Sequence, residues 1–341
     1  VTRRTTTLIV GLVLIVVLGG FGGAVQVPYV ALGPGPTFNT LGEVDGKPVV
    51  EVQGRETAPT EGNLNMTTVA VNDGISLFGA IGLWVSGRYA LVPRDQIYPP
   101  EKTREQVSQE NAQDFAESEN NAEAAALLYL QVPTKVTVGA LTQGSPADGV
   151  LAAGDQLLSV NGKPVSTAYE TLQALKNTKA GERVSVTYRH DGGPETSATI
   201  TLAQGSEDED RGYIGITPDT TPDAPFTIEF NLADIGGPSA GLMFALALVD
   251  KLTTGTLNGG KFVAGTGTID GVGKVGPIGG IPFKMIKAKE AGATTFLVPQ
   301  ANCAEALQRV PEGLELIKVD TLRTAVDALN TVNAGGQPPR C

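Results

Sequence analysis

A serine, a lysine and a single histidine bound the acid–base chemistry open to this chain. Ser239 stands in "IGGPSAGLMFALALVDKL" (Ile235–Leu252), after two glycines and a proline and before an apolar run. Pro238 suits the first turn of a helix, where its missing N–H is one that goes unpaired anyway. Ser239 then lies among unpaired backbone N–H groups. It reads either as a helix cap or as a nucleophile whose oxyanion those groups stabilise. Gly236, Gly237 and Gly241 let a substrate backbone come close. A nucleophilic serine needs a base. The one histidine, His190, lies in "YRHDGG" and reads as an exposed turn residue rather than a triad member. Lysine does the work when burial disfavours its charged form. Lys284, in "GGIPFKMI", is flanked by Ile281, Pro282, Phe283, Met285 and Ile286, the most apolar surroundings of any lysine in this half of the chain. Lys287 and Lys289 open onto a more polar helix face, and Lys274 lies in a Gly-rich turn. A snorkelling lysine with a buried stem fits the same surroundings as a base, so composition alone leaves both open.

These residues need elements to hold them. "LMFALAL", behind Ser239, is apolar on all sides and predicts a buried core helix. "LNMTTVAV" (Leu64–Val71) predicts a buried strand, and "NAQDFAESENNAEAAALLYL" a helix that turns apolar near its end. The stretch "GSEDEDR" (Gly205–Arg211) reads as a solvated boundary. From Leu8 to Val25 no side chain is polar or charged, which is long enough to cross a bilayer core of ~30 Å. The run exceeds the apolar core of a cleaved leader and no A-x-A site follows, so an uncleaved anchor is expected. Arg3 and Arg4 precede it, which predicts a cytoplasmic N-terminus and an external body.

Composition closes other routes. The net charge of -11, with no basic tract, argues against nucleic acid. One histidine and two cysteines in no cluster argue against a zinc site, and no cofactor is expected. "GTLNGGKF" (Gly255–Phe262) fits G-x-x-x-x-G-K but has Phe where the metal-binding Ser or Thr belongs, and a helix rather than a strand precedes it. An oxidising exterior allows Cys303 and Cys341 to pair; two unrelated thiols fit the sequence equally well.

Two resemblances sharpen these readings. "SPADG" and "GDQLLSVNG", then a helix over 168–177 and "ERVSVTYRHDG", resemble a bacterial PDZ domain. That implies binding of extended peptide ends by strand addition. The glycine-hydrophobic loop of such domains is not evident before Val136, and "RGYIGI" (Arg211–Ile216) reads as the start of the next domain. "GPSAG" followed by "GTGTIDGVGKVGPIGGIPFK" resembles the proteolytic domain of the Lon family over about 228–330. The resemblance implies Ser239 as nucleophile, Lys284 as general base and Thr266 as its orienting partner, with Gly236 and Gly237 supporting. One departure is Gly236 itself, where the family has an aspartate; Asp234 lies nearby. No ATPase segment is present in these 341 residues, so ATP-independent cleavage is expected.

The expected architecture is multidomain α+β. A cytoplasmic stretch (1–7) leads to a transmembrane helix (8–25) and a membrane-proximal α/β region (26–124). A β-rich PDZ domain (125–205) and an α/β Lon-type proteolytic domain (210–335) follow. The expected function is that of a membrane-anchored serine endopeptidase acting on proteins or peptides, with the PDZ domain selecting or gating substrates and a homo-oligomer as a possible assembly. The alternative is a membrane-tethered peptide-binding adaptor whose Lon-like domain is inactive.

Overall fold

An uninterrupted apolar run satisfies its backbone polar groups by coiling on itself. It lies in helix α1 (Arg3–Ala24), whose most apolar 18 residues have mean hydropathy 2.4 and are nearly all exposed. The structure, a computed structural model, describes residues 3–205, 212–233, 235–253 and 256–341. Asp234, the "SEDEDR" charge run and Gly255 of the near-miss phosphate loop lie outside the described residues.

After α1 come β1 (Tyr29–Asn39), β2 (Asn63–Asn72), the short helix α2 (Leu77–Val85), β3 (Ala90–Pro93) and the long helix α3 (Arg104–Tyr129). The middle of the chain gives β4 (Thr134–Leu141), β5 (Gln156–Val160), α4 (Ala168–Leu175), β6 (Arg183–Arg189), β7 (Glu195–Thr201) and β8 (Ile216–Pro222). A 3₁₀ turn over Pro238–Ala240 then runs into α5 (Gly241–Leu252). It is followed by β9 (Phe262–Gly265), α6 (Ile281–Ala291), β10 (Thr295–Pro299), β11 (Glu315–Val319) and α7 (Leu322–Asn333). Helices α3 and α4 start where a threonine and the residue three further on close a reciprocal capping box, Thr103 with Gln106 and Thr167 with Glu170.

Six strands make one sheet in the order β11-β10-β9-β2-β1-β3. It is parallel from β11 to β2 and antiparallel from β2 through β1 to β3. Sheet membership therefore runs across the expected boundaries, because strands from 29–93 complete a sheet begun by strands from 262–319. The reason is exposure: Val263 and Ala264 are buried on the two faces of β9, and without β2 its edge would be an open row of backbone donors and acceptors.

Successive residues of β10 show the layering. Leu297 packs with α5, whereas Phe296 and Val298 pack with Ile281, Met285 and Ala288 of α6. Helices α5 and α6 thus cover opposite faces of the sheet. As expected from "LMFALAL", residues 242–249 are all buried, against α3, α7, Leu64 and Met66.

The second sheet has the order β7-β6-β5-β4-β8, with its own core around Val136, Leu157, Val184 and Ile200. Here "RGYIGI" departs from expectation. Gly212–Tyr213 pairs with Ala203–Gln204, and Ile216 opens β8, which pairs antiparallel with β4 inside the PDZ-like sheet rather than opening the next domain. Cys303 and Cys341 form a disulfide, Cα atoms 5.2 Å apart, which decides the alternative that composition left open.

Candidate active site

Opposite faces of a sheet are an unpromising place for two side chains that must touch. They meet because β9 ends at Gly265, and the following Thr266–Gly267 passes between the start of α5 and the start of α6. The Gly267 N–H donates to the Ser239 carbonyl at 3.0 Å, and the Leu242 N–H donates to the Gly267 carbonyl at 3.1 Å. The approach is close: a Cβ on Gly265 would fall 2.7 Å from Met243 Sδ and 2.9 Å from Leu297 Cβ.

Lys284, one turn into α6, points from beneath the sheet toward this gap and is 2% exposed. Its Nζ lies 2.7 Å from Ser239 Oγ and donates to Thr266 Oγ1 at 2.9 Å. Thr266 Oγ1, itself buried, donates to the Ser239 carbonyl at 3.1 Å. That last bond uses the threonine's only proton, so toward Lys284 it can only accept. One N–H of the amine is thereby held on Thr266, and a neutral amine has its lone pair free for the serine hydroxyl. Burial alone lowers Lys284 from the ordinary lysine range to about 7.

Ser239 does not cap a helix. Neither the Pro238–Ala240 turn nor α5 has a side-chain cap bond, and Ser239 Oγ is engaged by the lysine instead. His190 lies in the turn between β6 and β7 of the other sheet, exposed, with Nδ1 2.6 Å from Asp155 Oδ1. That hydrogen bond raises its pKa and ties it to the PDZ-like fold.

The loop before Ser239 is held from α3, a helix that sequence reasoning did not connect with the site. The Gly237 N–H donates to the Asn111 carbonyl at 2.8 Å, and Ser118 Oγ donates to the Pro238 carbonyl at 3.1 Å. A Cβ on Gly236 would fall 2.8 Å from Asn111 Cβ, so glycine there permits the helix to pack on the loop. Gly237 has φ 87° and ψ 159°, a region in which side-chain-bearing residues are strained. Ser239 and Lys284 form part of the wall of a cavity of about 530 Å³, whose apolar lining includes Phe38, Met66, Val69, Phe115 and Ile235. Three of these come from β1 and β2 and one from α3, far from either motif.

The comparisons with known proteins bear on these residues. Residues 233–332 match the family model of the Lon protease (S16) C-terminal proteolytic domain, and residues 106–202 match that of the PDZ domain. This chain carries a Lon-type proteolytic domain and a PDZ domain. This chain is 46% identical over 76 residues to a Lon protease of Roseiflexus castenholzii, covering 22% of this chain and 9% of that one. It is 38% identical over 104 residues to the Lon protease of Geobacter metallireducens, covering 30% and 12%. The matched segments are thus about a tenth of the length of those relatives. The PDZ domain of an SdrC-like protein from Listeria monocytogenes is 30% identical, covering 24% of this chain and 85% of that one, with a TM-score of 0.23. The expected mixed α and β architecture, with an apolar N-terminal helix, a PDZ domain and a Lon-type domain, is the one found.

Proposed function

We propose that this chain is a membrane-anchored serine endopeptidase in which Ser239 attacks the scissile carbonyl and Lys284 is the general base. The observation that carries the reading is the buried Ser239–Lys284–Thr266 contact. Neutral Lys284 takes the hydroxyl proton as Oγ bonds to the carbonyl carbon, then returns it to the amine that leaves. The second half runs the same way with water as the nucleophile. The oxyanion is taken by N–H groups of the turn that starts at Pro238, which have no acceptor one turn earlier. Gly237 is outside that set, because its N–H is already committed to Asn111. The apolar cavity beside Ser239 receives a hydrophobic side chain of the substrate.

The PDZ domain selects or gates substrates. Its strand β8 stands at the end of the sheet order and offers an edge to an extended peptide. The body lies outside the membrane, with α1 retained as the anchor. The arginines ahead of the apolar run of α1 and the Cys303–Cys341 disulfide both favour that orientation.

The test uses the full chain in detergent with an unfolded protein substrate and an irreversible serine-directed probe. Wild type should cleave and be labelled at Ser239. Ser239→Ala and Lys284→Ala should each abolish cleavage, and the double variant should lose almost nothing more, because the pair acts as a unit. Lys284→Arg should be equally dead, since arginine stays charged. Full activity in Lys284→Arg would falsify the dyad.

A further inference from the structure

Helix α2 reads "LFGAIGLWV", without one polar or charged side chain. A helix apolar all round is ordinarily buried in a core. This one buries only Ala80, while Phe78 is 50%, Trp84 66% and Val85 71% exposed, with Leu77 and Ile81 also open. At ~1.5 Å per residue it is far too short to span a bilayer core of ~30 Å.

Its position is fixed by α1. The Leu77 N–H donates to the Val25 carbonyl at 3.0 Å, and Gln26 bridges Ser76. Gly22, the one buried residue of α1, packs under the Phe78 ring, where a Cβ would fall 2.5 Å from the ring. The exposed apolar side chains of α1, Phe21 and Val25 among them, thus lie next to those of α2, with Gln26 and Ser76 at the junction. Ser76 caps α2 at one end, accepting from the Gly79 N–H, and Ser86 closes the other.

We infer that α2 is an interfacial helix, buried in the headgroup–acyl boundary of the bilayer that α1 spans, with Trp84 at that boundary. The inference rests on the anchored reading of α1. A helix lying in that layer sinks ~5–10 Å, and tryptophan favours this depth. The protein covers the Ala80 side, which replaces the polar face that a free-standing interfacial helix needs.

The contact reaches the catalytic body. Arg88, just after α2, pairs with Glu290 of α6 at 2.6 Å, and Arg309 donates to the Gly87 carbonyl. The helix that holds Lys284 is thus braced against the membrane-facing turn. From Tyr29 to Phe38, β1 at ~3.3 Å per residue covers ~30 Å, so the cleft that Phe38 lines lies within about that distance of the start of β1. Substrates are then segments of chain close to the membrane surface.

Trp84 is the only tryptophan, so its emission reports α2 alone. The full chain is placed in phosphatidylcholine vesicles with or without brominated acyl chains. Carbonate washing reports α1 separately. The expected result is a carbonate-resistant chain whose Trp84 loses about half its emission to bromolipid and is shielded from aqueous iodide. Ile81→Asp with Val85→Asp should return Trp84 to iodide while leaving the chain carbonate-resistant and short-peptide hydrolysis within about twofold of wild type. A carbonate-resistant chain whose Trp84 answers to iodide and not to bromolipid overturns the inference and leaves the anchor standing. A chain that washes off yet keeps Trp84 quenched by bromolipid overturns the anchor and leaves α2 as a lipid-binding helix. Loss of both overturns both. Trp84 shielded from both quenchers assigns the face to protein, a second copy included, and overturns the inference.

Discussion

Holding the Lys284 ammonium among Ile281, Phe283 and Met285 costs free energy that is relieved when the proton leaves, and this gives activity and stability opposite stakes in one group. With the lysine lowered to about 7, kcat/KM should rise with unit slope below that pH and level off above it. Stability follows from the same proton. Below about 7 the group is charged in the folded and the unfolded chain alike, and the fold carries the whole cost of burying it. From about 7 up to the free value of ~10.4 only the unfolded chain holds the proton, so stability rises with pH across that interval. Lys284→Met should therefore be inactive but more stable, by an amount of the order of 4 kcal/mol at pH 6 and about half that at pH 9. Thermal unfolding of both chains at the two pH values checks this; equal gains at both would mean that the lysine is not held in its shifted state. Thr266→Val keeps the shape but removes the acceptor that holds Nζ. It should lower kcat by about 10–100-fold with KM little changed, read from steady-state kinetics.

Much of the candidate site was legible at the residue level because the motifs bring their chemistry with them: a serine at a helix start and a lysine in apolar company. What joins them was less so. Helix α3 reads in sequence as a polar helix with an apolar end. The spacing of Phe115, Ser118, Ala122, Ala125 and Ala126 marks a buried face, but nothing in that spacing names the loop that Asn111 and Ser118 hold. Phe38 and Met66 were equally silent, since an alternating strand fixes which face is buried and not which cleft that face lines.

The same α3 reaches the PDZ sheet, where Asn120 donates to Asp219 of β8 at 3.0 Å and Glu123 is buried beside it. Burial first, and the Asp219 charge next, raise Glu123 to about 8. Between the ordinary carboxylate range and about 8, the folded chain holds a proton that the unfolded chain has released, so this group makes stability fall as pH rises. Glu123→Gln should raise the melting temperature at pH 8 and change it little at pH 4.5, the reverse slope to Lys284→Met. A change of the same size at both pH values would place the carboxylate outside this buried contact.

At the scale of the whole molecule, two features far apart in sequence bear on where the body lies. Arg3 and Arg4 in the first turn of α1 favour a cytoplasmic N-terminus, and the proposed topology then puts everything after the helix on the far side of the membrane. Independently, Cys303 and Cys341 close a loop with a sequence separation of 38, and such a bond persists only where thiols are not kept reduced. Restricting the unfolded chain by a loop of that length is worth about 4 kcal/mol. Cys303→Ser should therefore lower stability by about 2–4 kcal/mol while Ser239 stays reactive toward the probe, since the bond joins Cys341 to the α6-side layer and not to the Ser239 loop. The location is tested in intact cells with a membrane-impermeant maleimide of large mass. Because these are the chain's only two cysteines, the untreated protein should show no mobility shift. After an impermeant reductant it should gain two labels without lysis. Labels that appear only after lysis would reject the external orientation, and labels gained without reductant would reject the bridge.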